Sequence, residues 1–188
     1  MSLPENRTDY GRSILDITAT DADPFVQFAE WFEEAAAGGV PEPNAMTLAT
    51  ATREGIPSAR TVLLKGVENG GFTFYTNFES QKGRELDANP VAALLFFWQP
   101  HERQVRIEGP VERTGREESE RYFAGRPRES QLGAWASNQS CPIPDRLALE
   151  GALAAASARF AGQAVPCPPQ WGGFRLRPAR FEFWQGRP

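Results

Sequence analysis

The chain has 188 residues, with 20 Lys and Arg against 24 Asp and Glu for a net charge of −4, and it is 40% hydrophobic and 11% aromatic. That is enough chain for one domain with a sizeable core and too apolar for a disordered segment. The acidic balance excludes a general electrostatic grip on nucleic acid, and no apolar run approaches the roughly 20 residues a membrane-spanning helix needs. No apolar stretch follows the basic residue near the N-terminus, so no secretory signal is expected. The two cysteines, Cys141 and Cys167, form no CxxC pair and read as free thiols of a cytoplasmic protein. The single histidine, His101, stands in a polar loop, where neither a metal site nor a Ser-His-Asp triad is expected.

In chain order, residues 1–22 are polar and mixed and read as an arm, and residues 23–188 as one domain. Asp23-Pro24 opens a helix, with Asp23 as N-cap and Pro24 at the first helical position. Phe25, Phe28, Ala29 and Phe32 form its apolar stripe, and Gly38-Gly39 ends it. Strands follow over 45–52 and 59–64, flanking a turn at Gly55, and over 71–76 after the turn at Asn69-Gly70. Ser80 to Arg84 starts a helix just after that strand. The run Val91 to Trp98 is apolar throughout and predicts a strand buried on both faces. From 104 to 111, Val105 and Ile107 alternate with Gln104, Arg106 and Glu108. Thr114 to Glu117 has the pattern of a capping box and opens a helix to Ala124, with Gly125 as its stop. Ser130 caps a short helix through Trp135. Asp145 caps a longer one, with Leu149, Leu153, Ala156 and Phe160 on its apolar side and Gly162 as its end. A Pro-rich loop over 164–169 leads to a last strand over 173–184. Short strands joined by hairpins at this density predict an antiparallel barrel.

The cations are the chemically informative residues. Arg60 and Lys65 bracket the strand Thr61-Val62-Leu63-Leu64, and Lys82 and Arg84 open the helix after Tyr75-Thr76-Asn77. An unpaired charge at the end of a half-buried strand is costly unless it has an anion to bind. The odd separation of Arg60 and Lys65 places them on opposite faces of a regular strand. The pair is therefore either two surface charges capping a strand, or a site for two anionic groups or one large ligand touched on two sides. A second cluster, Tyr122, Arg126, Arg128 and Ser130, straddles a helix end. Tyr122 and Arg126 converge at i, i+4, and Ser130 stands at a helix start, favourable for an anion. Solvated charges on a helix-linker-helix are the plainer alternative.

Six motifs in this order carry a resemblance. Arg60-Thr-Val-Leu-Leu-Lys65, Tyr75-Thr-Asn77, Arg103-Gln-Val-Arg106, Tyr122-Phe-Ala-Gly-Arg126-Pro-Arg-Glu-Ser130-Gln131, Gln139-Ser140 and Trp171-Gly-Gly-Phe with Glu182-Phe-Trp-Gln185 resemble the pyridoxamine 5′-phosphate oxidases over roughly residues 7–188. The resemblance implies a mostly β fold with peripheral helices, an antiparallel split barrel. It implies a homodimer with FMN in clefts at the interface. It also implies oxidation of pyridoxine or pyridoxamine 5′-phosphate to pyridoxal 5′-phosphate, with O2 as acceptor and peroxide as product.

The resemblance also assigns residues. Cofactor contacts fall on Arg60, Thr61, Val62, Leu63, Leu64, Lys65, Tyr75, Thr76, Gln81, Lys82, Gln104, Gln139, Ser140 and Trp184. Arg60 and Lys82, helped by Gln139 and Ser140, take the FMN phosphate, and Gln104 and Trp184 lie near the ring. Substrate contacts fall on Arg7, Tyr10, Lys65, Tyr122, Arg126 and Ser130, with the last four at the substrate phosphate. Trp184, beside Phe181 and Phe183, is equally credible as ordinary core packing. Gln81 stands where many relatives carry Arg. Relatives also continue past Gly186-Arg187-Pro188 with a stretch that supplies Arg and His near the reacting atoms, so the resemblance assigns no catalytic residue here. Two further readings stand beside the oxidase: a related flavin oxidase of the phenazine type, and a non-catalytic split-barrel flavin binder.

Overall fold

The computed structural model describes residues 9–11 and 13–188. Its centre is an eight-stranded sheet, with β1 (Ala45–Ala51), β2 (Pro57–Leu63), β3 (Gly66–Glu68), β4 (Gly71–Asn77), β5 (Val91–Trp98), β6 (Arg103–Arg113), β7 (Trp171–Leu176) and β8 (Arg180–Gln185). The strand order is β2-β1-β5-β6-β7-β4-β3, with β8 added to β6, and the pairings are antiparallel. The long strand β6 is the pivot. Its first part, Arg103 to Glu108, lies between β5 and β8, and its end, Val111 to Arg113, pairs with β7. Between the two parts, Gly109 lets the backbone of Arg177 approach so closely that a Cβ there would meet the Arg177 carbonyl oxygen at 1.9 Å. The change of partner rolls the sheet into a half-barrel.

Inside the roll, Met46, Leu48, Phe72, Phe74, Leu94, Phe96, Val105, Ile107 and Leu176 are essentially buried. Helix α1 (Pro24–Ala37) closes one side of this core. The Asp23 side chain accepts from the Phe25 amide as its cap, and Phe28 meets Phe72 edge-on at 4.9 Å and Phe96 at 5.1 Å. Helix α2 (Gln81–Ala88) follows β4, with Ser80 as N-cap. The remaining helices, α3 (Arg116–Ala124), α4 (Arg128–Ala136) and α5 (Arg146–Arg159), gather a second apolar cluster around Phe123, Leu132, Phe160, Val165 and Trp171. The turn at Asn69-Gly70 has positive φ at both residues, as a two-residue hairpin requires.

Several expectations are corrected. β5 is not buried on both faces. Within the single chain its burial alternates, and Val91 and Phe97 are half-exposed, because only one face of the strand meets the core of its own chain. The capping box at Thr114 does not form. Gly115 is the N-cap of α3, and the Thr114 hydroxyl is engaged with that of Ser119 at 3.0 Å. Ser130 caps nothing, since α4 starts at Arg128 behind Pro127 and Ser130 lies in its first turn. The last strand is two, β7 and β8, separated at Arg177-Pro178-Ala179. On α1 the buried face is Gln27, Phe28, Trp31 and Ala35; Ala29 is exposed, and Phe25 and Phe32 are partly buried. On α5 only Ala156 is buried, followed by Phe160 at its C-cap, while Leu149 and Leu153 face out. The short strand β3 was not expected.

Candidate functional site

A cavity of about 800 Å³ opens between β2, β4, the head of β7 and helices α2, α3 and α4. Its lining is cationic. Arg60, Lys65, Lys82 and Arg126 all reach it, together with Thr61, Val62, Leu63, Tyr75, Thr76, Tyr122, Ser130 and Gln139. The two clusters singled out from the sequence therefore face one space. Strand parity does not separate Arg60 from Lys65, because β2 ends at Leu63 and Lys65 lies beyond the regular strand, its amide donating to the Thr73 carbonyl at 2.8 Å.

Arg60 is held from below. Its Nη1 donates to the Leu48 carbonyl at 3.2 Å and to Thr50 Oγ1 at 2.5 Å, and its Nη2 donates to Ser58 Oγ at 2.5 Å. Beneath it lies the buried carboxylate of Glu85, 3.4 Å from Nη2. Glu85 also accepts from Thr50 at 2.5 Å, Ser58 at 2.6 Å and Gln81 at 2.9 Å. Burial alone pushes this carboxyl up, but the hydrogen bonds from Ser58, Thr50 and Gln81 and the charge of Arg60 outweigh it and hold the group at about 2. Glu85 is thus an anion at any physiological pH.

Lys82 is buried at 7% exposure, and among the described residues its Nζ is hydrogen-bonded to neutral oxygens, Thr76 Oγ1, Ser80 Oγ and Gln139 Oε1, each at 3.4 Å. Desolvation, then the neighbouring Arg60, push its pKa down, and Glu85 resists. Arg126 is half-buried, and its Nη1 has no hydrogen-bond partner among the described residues. Desolvation lowers its pKa, opposed by Tyr122 and Cys167. Among the described residues neither Lys65, Lys82 nor Arg126 has a carboxylate within ion-pair distance. Lys82 is buried, Arg126 half-buried and Lys65 exposed at the mouth, and cations gathered without counter-ions are what a dianionic ligand would complete. Ser80 and α2 add a helix start beside Lys82.

A stack of rings forms one wall. Tyr75 and Tyr122 lie face to face at 3.9 Å and 8°, and Trp171 is parallel to both, 5.5 Å from Tyr75 and 6.1 Å from Tyr122. Burial, then the carboxylate of Glu118, push the Tyr75 hydroxyl up to about 12, so it stays protonated at neutral pH.

Other expected residues stand elsewhere. Leu64 is turned into the core. Gln81 is spent on Glu85, and Ser140 sits in an exposed turn with φ 66°. Gln104 and Trp184 are register partners on β6 and β8 and do not line the cavity; Gln104 also faces Phe97 on β5. Tyr10 meets Trp184 edge-on at 5.7 Å, on that same outward face. Arg7 lies outside the described residues. Sequence reasoning missed Glu85 and gave Trp171 no role. The i, i+4 spacing of Gln81 and Glu85 on α2 was a readable signal for the first; only tertiary packing reveals the second.

Comparison with known proteins gives the family. Residues 32–160 match the family described as pyridoxamine 5′-phosphate oxidase, and residues 171–188 match the pyridoxine 5′-phosphate oxidase C-terminal dimerisation region. The chain is 57% identical over 187 residues to a pyridoxine/pyridoxamine 5′-phosphate oxidase of Burkholderia thailandensis, covering 100% of this chain and 87% of the relative. It is 59% identical over 181 residues to one of Rubrobacter xylanophilus, covering 96% and 83%. Among solved structures, PhzG from Burkholderia lata 383, in complex with tetrahydrophenazine-1-carboxylic acid, superposes with a TM-score of 0.86 at 32% identity, covering 93% of this chain and 86% of that one. A pyridoxamine 5′-phosphate oxidase-related, FMN-binding protein of Nostoc punctiforme shares the fold at 16% identity, with a TM-score of 0.69 and coverage of 88% and 87%. With the family's motifs spread along the chain and its cations gathered in one cavity, this chain belongs to the pyridoxamine 5′-phosphate oxidase family.

Proposed function

We propose that this protein is an FMN-dependent oxidase that converts pyridoxine 5′-phosphate and pyridoxamine 5′-phosphate to pyridoxal 5′-phosphate, with O2 as acceptor and hydrogen peroxide as product. The observation that carries the reading is the 57–59% identity, over essentially the whole chain, to oxidases of that name. The cavity supports it, because it offers cations at two places to a cofactor and a substrate that each carry a phosphate.

Arg60 and Lys82, with Thr76 and Gln139 beside them, would hold the FMN phosphate. Lys65, Tyr122, Arg126 and Ser130 would hold that of the vitamer. When bound, FMN supplies the hydride acceptor for C4′ of the vitamer and the route of the electrons to O2. The protein's share is placement and electrostatics. The cationic lining offsets two phosphate charges, and the network under Arg60 fixes the direction of its guanidinium before a ligand arrives. Tyr75 remains a hydrogen-bond donor and does not act as a base, and among the described residues none of the side chains lining the cavity is a carboxylate or an imidazole.

The working unit is a homodimer. Residues 171–188 match a dimerisation region, and the outward face of β5, β6 and β8 carries half-exposed Val91, Phe97 and Trp184. An apolar face of this kind suits a second copy of the chain. Gln104 and Trp184, which lie off the cavity of their own chain, would then serve the flavin ring of the partner subunit. No described helix is long and apolar enough to cross a membrane, and Cys141 and Cys167 are unpaired; the cytoplasm is the compartment we assign.

PhzG, the neighbour at 32% identity, favours a phenazine-type oxidase as second reading. The ligand in that structure carries a carboxylate and no phosphate, whereas the Lys65, Tyr122, Arg126 and Ser130 set here suits a phosphate. The test is direct. Purified protein should be yellow, release FMN on acid extraction, and form pyridoxal 5′-phosphate and peroxide from pyridoxine 5′-phosphate. FAD as the extracted chromophore, or FMN-loaded protein inert on both phosphorylated vitamers, would overturn it.

A further inference from the structure

We infer that Trp171 is a positioning residue for the substrate phosphate, acting through Arg126; this rests on the reading of Arg126 as a phosphate ligand. The guanidinium of Arg126 lies over the Trp171 ring at 4.7 Å from its centroid and over Phe123 at 5.5 Å. No carboxylate pairs with it among the described residues, and its Nη1 is buried without a partner. The indole is 6% exposed and lines the same cavity.

The two guanidiniums that the described residues bring to the cavity are therefore held by different physics. Arg60 rests on an anion, Glu85, which fixes it but cancels part of its charge. Arg126 rests on an aromatic face. A ring quadrupole attracts the flat face of the guanidinium and leaves its N–H edge free. It also leaves the full positive charge for the incoming anion, and no ion pair has to be broken when the phosphate enters or leaves. That suits a ligand that must come and go at every turnover, as substrate and then as product.

Trp171 is itself well fixed. It opens β7 opposite Asn77, and its carbonyl accepts from Arg116 at 3.2 Å. Its ring lies parallel to Tyr75 and Tyr122. The neighbouring Gly173 permits this, since a Cβ there would stand 2.9 Å from the Tyr75 ring. Tyr122, also assigned to the substrate phosphate, thus shares one stack with the residue that carries Arg126.

The experiment is a double-mutant cycle on FMN-loaded protein, with Trp171→Phe, Trp171→Leu, Arg126→Ala and the two combinations. Dissociation constants for pyridoxal 5′-phosphate are measured by isothermal titration, alongside KM and kcat for pyridoxine 5′-phosphate, FMN content and melting temperature. Trp171→Leu should weaken pyridoxal 5′-phosphate binding roughly three- to thirtyfold, the range of a partly desolvated cation–π contact. Trp171→Phe, which keeps a weaker ring, should recover part of the loss, and KM should move while kcat stays within about twofold. In the Arg126→Ala background neither tryptophan substitution should add further loss. A Trp171 effect that persists in full without Arg126 overturns the inference, as does a Trp171→Phe protein with unchanged affinity and an uncoupled cycle. If Trp171→Leu does not fold, the Trp171→Phe cycle alone decides between these outcomes. Arg126→Ala protein that binds pyridoxal 5′-phosphate as tightly as the parent would overturn the phosphate assignment itself, a result separate from the cycle.

Discussion

Replacing Arg60 by alanine tests the cofactor half of the cavity most sharply, because the residue has two separable duties. The first is to the fold. Arg60 is the ion-pair partner of buried Glu85, and its loss leaves that carboxylate with only the donors Thr50, Ser58 and Gln81. Stranding a buried charged group that keeps some of its hydrogen bonds costs about 1–3 kcal/mol. For a chain of this length that corresponds to a melting temperature lower by roughly 2–12 °C in the FMN-free protein. The second duty is to the ligand. A charge-assisted contact to the FMN phosphate contributes about 1.5–3 kcal/mol, so the dissociation constant should rise about tenfold to a hundredfold. Removing the cation also relieves one cause of the depressed Lys82 pKa, so Lys82 stays charged and retains its share of the site. The assay is titration of FMN into apo-protein by quenching of flavin fluorescence, with calorimetric melting of the same samples. Arg60→Lys, which keeps the charge without the planar fork, should fall between the two. An Arg60→Ala protein that binds FMN within about threefold of the parent would refute the assignment of Arg60 to the phosphate, whatever its melting temperature.

Other perturbations follow from the same geometry. Glu85 stands at about 2 when folded against an ordinary 4.5, so the stability it contributes is fully present above about pH 4.5 and is lost as pH falls toward 2; Glu85→Gln should flatten that acid limb in pH-dependent urea unfolding followed by circular dichroism. Gly83→Ala should destabilise the protein by about 1–3 kcal/mol and weaken FMN binding, because a Cβ there would meet the Phe78 carbonyl oxygen at 2.0 Å and displace the start of α2 beside Lys82; melting and FMN titration read the two effects. Phe97→Asp, on the outward face of β5, should convert a homodimer to monomers in light scattering and release FMN, and a variant that stayed dimeric would remove that face from the interface. Arg126→Ala should leave FMN content unchanged while weakening pyridoxal 5′-phosphate binding about tenfold or more, as an equilibrium titration would show.

Much of this protein is local, and what is local was readable. Asp23-Pro24, Ser80 and Asp145 start helices because their side chains satisfy amides within the first turn, and Asn69-Gly70 turns because both residues tolerate positive φ. The cations of the site were legible because Arg and Lys are expensive at half-buried positions, and the order of the motifs was legible as a resemblance. The sequence could not decide which of these residues share a space. Strand parity put Arg60 and Lys65 on opposite faces, yet β2 ends at Leu63 and the chain turns before Lys65, so both reach one cavity. The apolar run of β5 could not say whether its second face meets its own core or is left outward, since both surroundings select the same residue types. Ser130 and the Thr114 box had the composition of caps, but the helix starts were settled by Pro127 and by the pairing of Thr114 with Ser119 across a packed turn. Trp171 and Glu85 take their roles only once β7 lies beside β4, and α2 packs on β1 so that Glu85 reaches Thr50 and Ser58. A residue's propensity is set by its neighbours in the chain, whereas a charge's partner is set by neighbours in space, and only the closed sheet brings those together.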